Sequence, residues 1–214
     1  MALEKYSDLI KNLPYLDQAF ETKKSTWLRE CKVSNEFKEF CKKKFQDDTI
    51  KISRRDLFAE CDNNFREAIF LIIFWGYPRN MRGNIFKSIL NSLKEIEQIL
   101  LEKKDLTKED FITICKKIKG TSMGMSTLTK ILYFFQFKVD GYQCLILDSR
   151  IMDVLKEGAY LELTALRKIS DHNKNEYYAE YLKEMDKISK AESYKPDQLE
   201  FFLIHFGKNL KSAN

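Results

Sequence analysis

The chain has 214 residues, 44% of them hydrophobic and 32% charged, with a formal net charge of +5. That balance excludes a disordered chain, and the length supports one well-buried core or two small helical subdomains. The most apolar run, Ala68 to Trp75, is far shorter than the roughly 20 residues of a membrane span. The N-terminus has no basic stretch followed by an apolar core, so a cytoplasmic protein with no membrane partner is expected.

Five cysteines, odd in number and without a CxxC pair, read as reduced thiols. With only His172 and His205 available, neither a metal site nor a cofactor is expected. Seven glycines and three prolines punctuate the chain so sparsely that long helices with short connections should dominate. No repeat or linker divides it, and residues 1–214 are expected to form a single mainly α unit.

In chain order, extended character first appears at Thr49 to Ile52. Helical periodicity follows over Phe65 to Trp75 and stops at Gly76 and Pro78. Arg79 and Arg82 then stand near a new helix start, where they could grip an anion. A second apolar pattern covers Ile85 to Leu101. Thr107 with the acids behind it reads as a capped start for a helix over Lys108 to Lys119. A turn over Gly120 to Met125 leads into a helix over Thr127 to Phe135. Gly120 and Gly124 permit positive φ and would let a phosphate approach the backbone beside Ser126, held by the N–H groups of the second helix. Residues Tyr142 to Leu147 look extended, Asp148 opens the next helical segment, and Pro196 starts the last helix.

Charge is unevenly placed. Lys23 to Arg55 holds eleven Lys or Arg against five acids, and Leu101 to Lys138 holds eight against four. Basic surface beside the turn, including Lys116, Lys117 and Lys119, suits a polyanion, because counterion release drives phosphate binding. Aromatic residues make up 13% of the chain, and most should be core.

Two charges do not look solvated. Lys130 interrupts Leu128-Thr129-Lys130-Ile131-Leu132-Tyr133, and Asp148 closes Cys144-Leu145-Ile146-Leu147. Ordinarily such a lysine snorkels to the surface and such an aspartate caps a helix. Together they could also form an amine nucleophile and its electrostatic partner.

Three blocks resemble the helix-hairpin-helix DNA glycosylases, in particular bacterial proteins with the 8-oxoguanine DNA glycosylase fold. They are Phe74-Trp75-Gly76-Tyr77-Pro78 with Arg82-Gly83; Ser126-x-x-Thr129-Lys130-x-x-Tyr133-Phe134 with Leu145-Ile146-Leu147-Asp148-Ser149-Arg150; and Asp197-Gln198-Leu199-Glu200. The segment Lys119 to Met125 is longer than the compact Leu-Pro-Gly-x-Gly hairpin and lacks its proline. Aligned by hairpin, the family's lysine falls near Ser126. Aligned backwards from Asp148, it falls at Lys130, one helical turn or about 5.4 Å away.

The resemblance implies a helix-hairpin-helix glycosylase-like bundle of two closely packed lobes with a cleft, the hairpin lying at about 108–135. It implies a monomeric enzyme that binds double-stranded DNA, flips out a damaged base such as 8-oxoguanine, and cuts through a lysine Schiff base. Lys130 would be the nucleophile, and Asp148 would stabilise charge on the sugar. Trp75, Phe201 or Phe202 would line the base pocket. A nucleic-acid-binding module without turnover and a structural or partner-binding helical protein are the alternatives.

Overall fold

The structure, a computed structural model, describes residues 2–210. Its eleven α-helices are α1 (Ser7–Lys11), α2 (Asn35–Lys44), α3 (Arg54–Cys61), α4 (Phe65–Gly76), α5 (Ile85–Asn91), α6 (Leu93–Leu101), α7 (Lys108–Lys119), α8 (Met125–Phe134), α9 (Ser149–Glu157), α10 (Lys174–Ala191) and α11 (Pro196–His205). The short strands are β1 (Ala19–Lys23), β2 (Thr49–Ser53), β3 (Asp105–Leu106), β4 (Lys138–Val139) and β5 (Tyr142–Gln143). The mainly α expectation therefore holds.

Local chemistry explains where these helices begin. Ser34, Ser53, Asn64, Thr107 and Asp148 each accept backbone N–H groups in the first turn of α2, α3, α4, α7 and α9. Thr107 and Asp110 form a reciprocal capping box, as the sequence suggested. The pattern from Ile85 to Leu101 is interrupted at Ser92, whose ψ of 9° opens the backbone between α5 and α6. The same apolar spacing continues on both sides of that residue, so periodicity alone could not reveal the break.

Helix α4 is buried along nearly its whole length and packs on α3, α8 and β1. Strands β1 and β2 pair antiparallel from Ala19 with Ser53 to Lys23 with Thr49, and this ribbon carries Phe20 to the face of Trp75, 5.3 Å away. On the other side, α10 packs on α7 and α11, and α11 packs on α9 and α1. The buried hydrophobic residues form one continuous cluster across both groups.

Between the two groups runs the segment 144–148, which follows β5 and belongs to no strand. Beyond β5, its backbone groups are satisfied by buried side chains. Ile146 N–H donates to Glu200 Oε2 at 2.9 Å and Leu147 N–H to Thr129 Oγ1 at 3.2 Å. Tyr178 OH donates to Leu145 O at 2.6 Å and Tyr181 OH to Ile146 O at 3.0 Å. An irregular buried segment needs such partners, since each unpaired backbone group costs about 1–3 kcal/mol.

Candidate active site

A cleft of about 250 Å³ opens where the end of β1's approach, the α4 terminus, α8, the 146–150 segment and α11 converge. Lys130 and Asp148 both line it, as do Ser126 and Trp75. The two residues preceding the candidate pair are joined directly, because Leu147 N–H donates to Thr129 Oγ1. That bond fixes α8 against the segment that presents Asp148.

Lys130 is only 6% exposed, and its stem lies against the α4 terminus. Gly76 makes room for it: a Cβ there would stand 2.9 Å from Lys130 Cδ and 3.2 Å from Cε. Lys130 Nζ donates to Ser126 O at 3.1 Å and Ser126 Oγ at 2.7 Å, and it lies 5.4 Å from the centre of the Tyr77 ring. Tyr77 is held in turn by its hydroxyl's 2.8 Å hydrogen bond with Thr127 Oγ1. Among the described residues, no carboxylate lies within ion-pair distance of this amine. Ser126 and Lys130, the two positions left open by alignment, thus share one face and touch.

Asp148 is half-buried, and its Oδ1 accepts from Arg150 N–H at 3.0 Å and Ile151 N–H at 3.2 Å. It therefore caps α9, while its remaining oxygen makes no hydrogen bond to the described protein residues. Capping and facing the cleft are compatible in one carboxylate.

Trp75 forms part of the cleft wall, buried against Phe20 and Phe134, with its indole N–H donating to Gln18 O at 3.2 Å. Phe201 is half-buried on α11, its ring 4.4 Å from that of His205. Phe202 is fully buried and packs on Tyr6 and Tyr160, away from the cleft lining. Arg79 and Arg82 are exposed on the turn leading away from Pro78.

Lys116, Lys117 and Lys119 are exposed at the end of α7. In the turn that follows, neither Gly120 nor Gly124 adopts positive φ; the left-handed residue is Ser122, at φ 62°. Gly124 is the N-cap of α8 and, lacking a side chain, leaves the first N–H groups of that helix uncapped. A Cβ at Gly124 would meet nothing within 4 Å, so the approach is open.

The two basic segments differ in how far their charges are already matched. In the first, Arg29, Lys42, Lys43, Lys44, Arg54 and Arg55 all form ion pairs. In the second, Lys103 pairs with Asp110, while the lysines at the end of α7 form no ion pair with the described residues. The region beside the α7–α8 turn therefore carries the less compensated field.

A buried layer behind the cleft was not anticipated from the sequence. Arg54 and Glu200, both 0% exposed in their side chains, pair at 2.8 Å. Glu200 and Tyr133 hold Arg54 firmly charged despite its burial. Burial pushes the Glu200 carboxyl up, and Arg54 and the Ile146 N–H pull it back. Gln18 Oε1 accepts from Arg54 Nε at 2.7 Å, which turns the Gln18 amide nitrogen towards His205 Nε2, also at 2.7 Å. His205 must then accept with that nitrogen and be neutral. Burial, with help from Arg54 and Arg150, shifts its pKa in that direction.

A profile for the family described as "Putative 8-oxoguanine DNA glycosylase OGG-like protein" matches residues 14–205. The chain belongs to this OGG-like family. The matched span contains every residue lining the cleft, from Gln18 to Ile204, and joins the helical fold to a DNA-glycosylase-like function. No curated protein and no solved structure matches the chain. No helix among the described residues is long and apolar enough to cross a membrane, and no cluster of three or more His, Cys, Asp or Glu is placed to hold a metal ion.

Gln18, Phe20 and Arg150 join this OGG-like cleft without having been singled out as site residues. Arg150 was legible as part of the Leu145 to Arg150 block. Gln18 and Phe20 reach the cleft through the β1–β2 ribbon, whose pairing spans about thirty residues of intervening chain, and they carry no local signal.

Proposed function

We propose that residues 1–214 act as one DNA glycosylase with lyase activity, removing an oxidised purine such as 8-oxoguanine from double-stranded DNA. The observation that carries this reading is Lys130, a buried amine without a carboxylate partner, placed in the same cleft as Asp148. Ser126 O and Oγ accept hydrogen bonds from Nζ and hold it at the cleft wall, from which the amine, once it has given up its proton, can attack.

The lone pair of Nζ forms a bond to C1′ of the flipped nucleotide as the C1′–N9 bond breaks. The departing base takes the electrons of the broken C1′–N9 bond together with the proton that Nζ sheds on becoming bonded to C1′. Opening of the sugar ring gives the Schiff base, and loss of a C2′ proton then expels the 3′ phosphate by β-elimination. The Asp148 carboxylate stabilises positive charge on the sugar as the base leaves. The cleft, of about 250 Å³, has room for a base taken out of the stack. The uncapped α8 N-terminus beside Lys116, Lys117 and Lys119 offers N–H groups and positive charge to a backbone phosphate.

The test is borohydride trapping on duplexes carrying 8-oxoguanine or an abasic site. The wild-type protein should form a covalent adduct, and Lys130→Gln should abolish it while leaving DNA affinity nearly intact. Trapping that survives the substitution would move the nucleophile elsewhere. DNA binding without base release or trapping by the wild type would make this a binding module.

A further inference from the structure

We propose that the buried Arg54–Glu200 pair is a positioning device for the Lys130–Asp148 cleft, a role that rests on the glycosylase reading above. Buried ion pairs are poor stabilisers: removing two charges from water offsets most of their attraction, and apolar residues of similar size often serve a core as well. A role in folding stability alone therefore does not account for this pair.

Its connections do. The Arg54 guanidinium reaches three separate elements: Nε donates to Gln18 Oε1 at 2.7 Å, one amino group to Tyr133 OH at 3.0 Å, and the other to Glu200 Oε1 at 2.8 Å. Gln18 lines the cleft, and Tyr133 lies on α8 one turn beyond Lys130. The other Glu200 oxygen accepts from Ile146 N–H at 2.9 Å, two residues before Asp148. The guanidinium carbon also sits 5.3 Å from the centre of the Trp75 ring, the cleft wall.

The pair thus ties the helix carrying the amine to the segment carrying the carboxylate. A planar guanidinium with donors on three sides can make these contacts at fixed angles, whereas a lysine ammonium could not. Neither residue touches the cleft itself, since both side chains are fully buried. They act by fixing where Lys130 and Asp148 stand.

The experiment compares single-turnover trapping with DNA affinity in the full chain. Replacing the pair together, Arg54→Met with Glu200→Leu, removes both charges at once and avoids stranding either one. We expect trapping at saturating DNA to slow by about tenfold or more, with the dissociation constant for DNA changed less than about threefold. Tyr133→Phe, which leaves the ion pair whole and frees it only from α8, covers the case in which the double variant does not fold. It should slow trapping by about threefold or more at saturating DNA in protein that remains folded, with the dissociation constant for DNA changed less than about threefold. Trapping at the wild-type rate in the folded double variant, or in Tyr133→Phe if the double variant is unfolded, would overturn the positioning role alone. A wild-type protein that never traps would overturn the glycosylase reading and this role with it.

Discussion

Gly76→Ala isolates the placement of the Lys130 amine from the stability of the fold. The added Cβ would stand 2.9 Å from Lys130 Cδ and 3.2 Å from Cε, against an optimal carbon–carbon separation of about 3.5–4.0 Å. Relief requires the lysine stem to move by about 0.6–1 Å, and its flexible outer carbons can do so without disturbing the backbone. Gly76 is the last residue of α4, and alanine in a helix is favoured over glycine by up to about 1 kcal/mol. The melting temperature should therefore hold or rise slightly. Displacement of about 1 Å at a reacting atom can cost about a hundredfold, so single-turnover trapping on an 8-oxoguanine duplex should fall by about ten- to a hundredfold. That loss corresponds to about 1.4–2.7 kcal/mol of barrier. A folded Gly76→Ala protein that traps within about twofold of the wild-type rate would refute the argument, because the amine's position would not depend on this wall.

Asp148→Asn should retain the α9 cap and the melting temperature, since Asn caps about as well as Asp, yet slow base release by about a hundredfold or more; an unchanged rate would reduce Asp148 to a cap. Replacing Lys116 and Lys117 together with Gln should lower the salt dependence of DNA binding by about two in the log–log slope, measured by fluorescence anisotropy from about 50 to 200 mM salt. Asp110, whose pKa is pulled down to about 2 by Lys103 and by the capping bonds to Thr107, favours the folded state most when ionised. Its contribution should be full above about pH 4 and fade as pH falls towards about 2. Acid titration of Asp110→Asn by circular dichroism should show a shallower loss of stability across that window.

The helices most visible in the sequence were those with a strongly apolar face, and Lys130 and Asp148 stood out because apolar neighbours surround both. Helix α10 was harder to see, for its buried face includes Tyr178 and Tyr181, residues equally common at surfaces. Their hydroxyls are satisfied by Leu145 O and Ile146 O, partners more than thirty residues away. Arg54 and Glu200 were hidden for a related reason. Each sits among polar neighbours, in Ser53-Arg54-Arg55-Asp56 and Asp197-Gln198-Leu199-Glu200, and only their 146-residue separation in sequence closes into an ion pair. A faint signal existed: Leu57 and Leu203, each three residues further along its helix, are buried on the same side. The glycines of the α7–α8 turn misdirected the reading of backbone geometry, because Ser122 took the left-handed position that either glycine could have filled more easily.

The segment that presents Asp148 has consequences for the order in which the cleft can assemble. It is held by Thr129 of α8, Tyr178 and Tyr181 of α10 and Glu200 of α11, rather than by a neighbouring strand that could form beside it early. Those anchors come from helices brought together over long stretches of chain, and contacts of that kind form late because loop closure must precede them. A partly folded chain would thus carry the lysine without a fixed carboxylate opposite it. Reactivity towards a sugar would arrive with the completed fold.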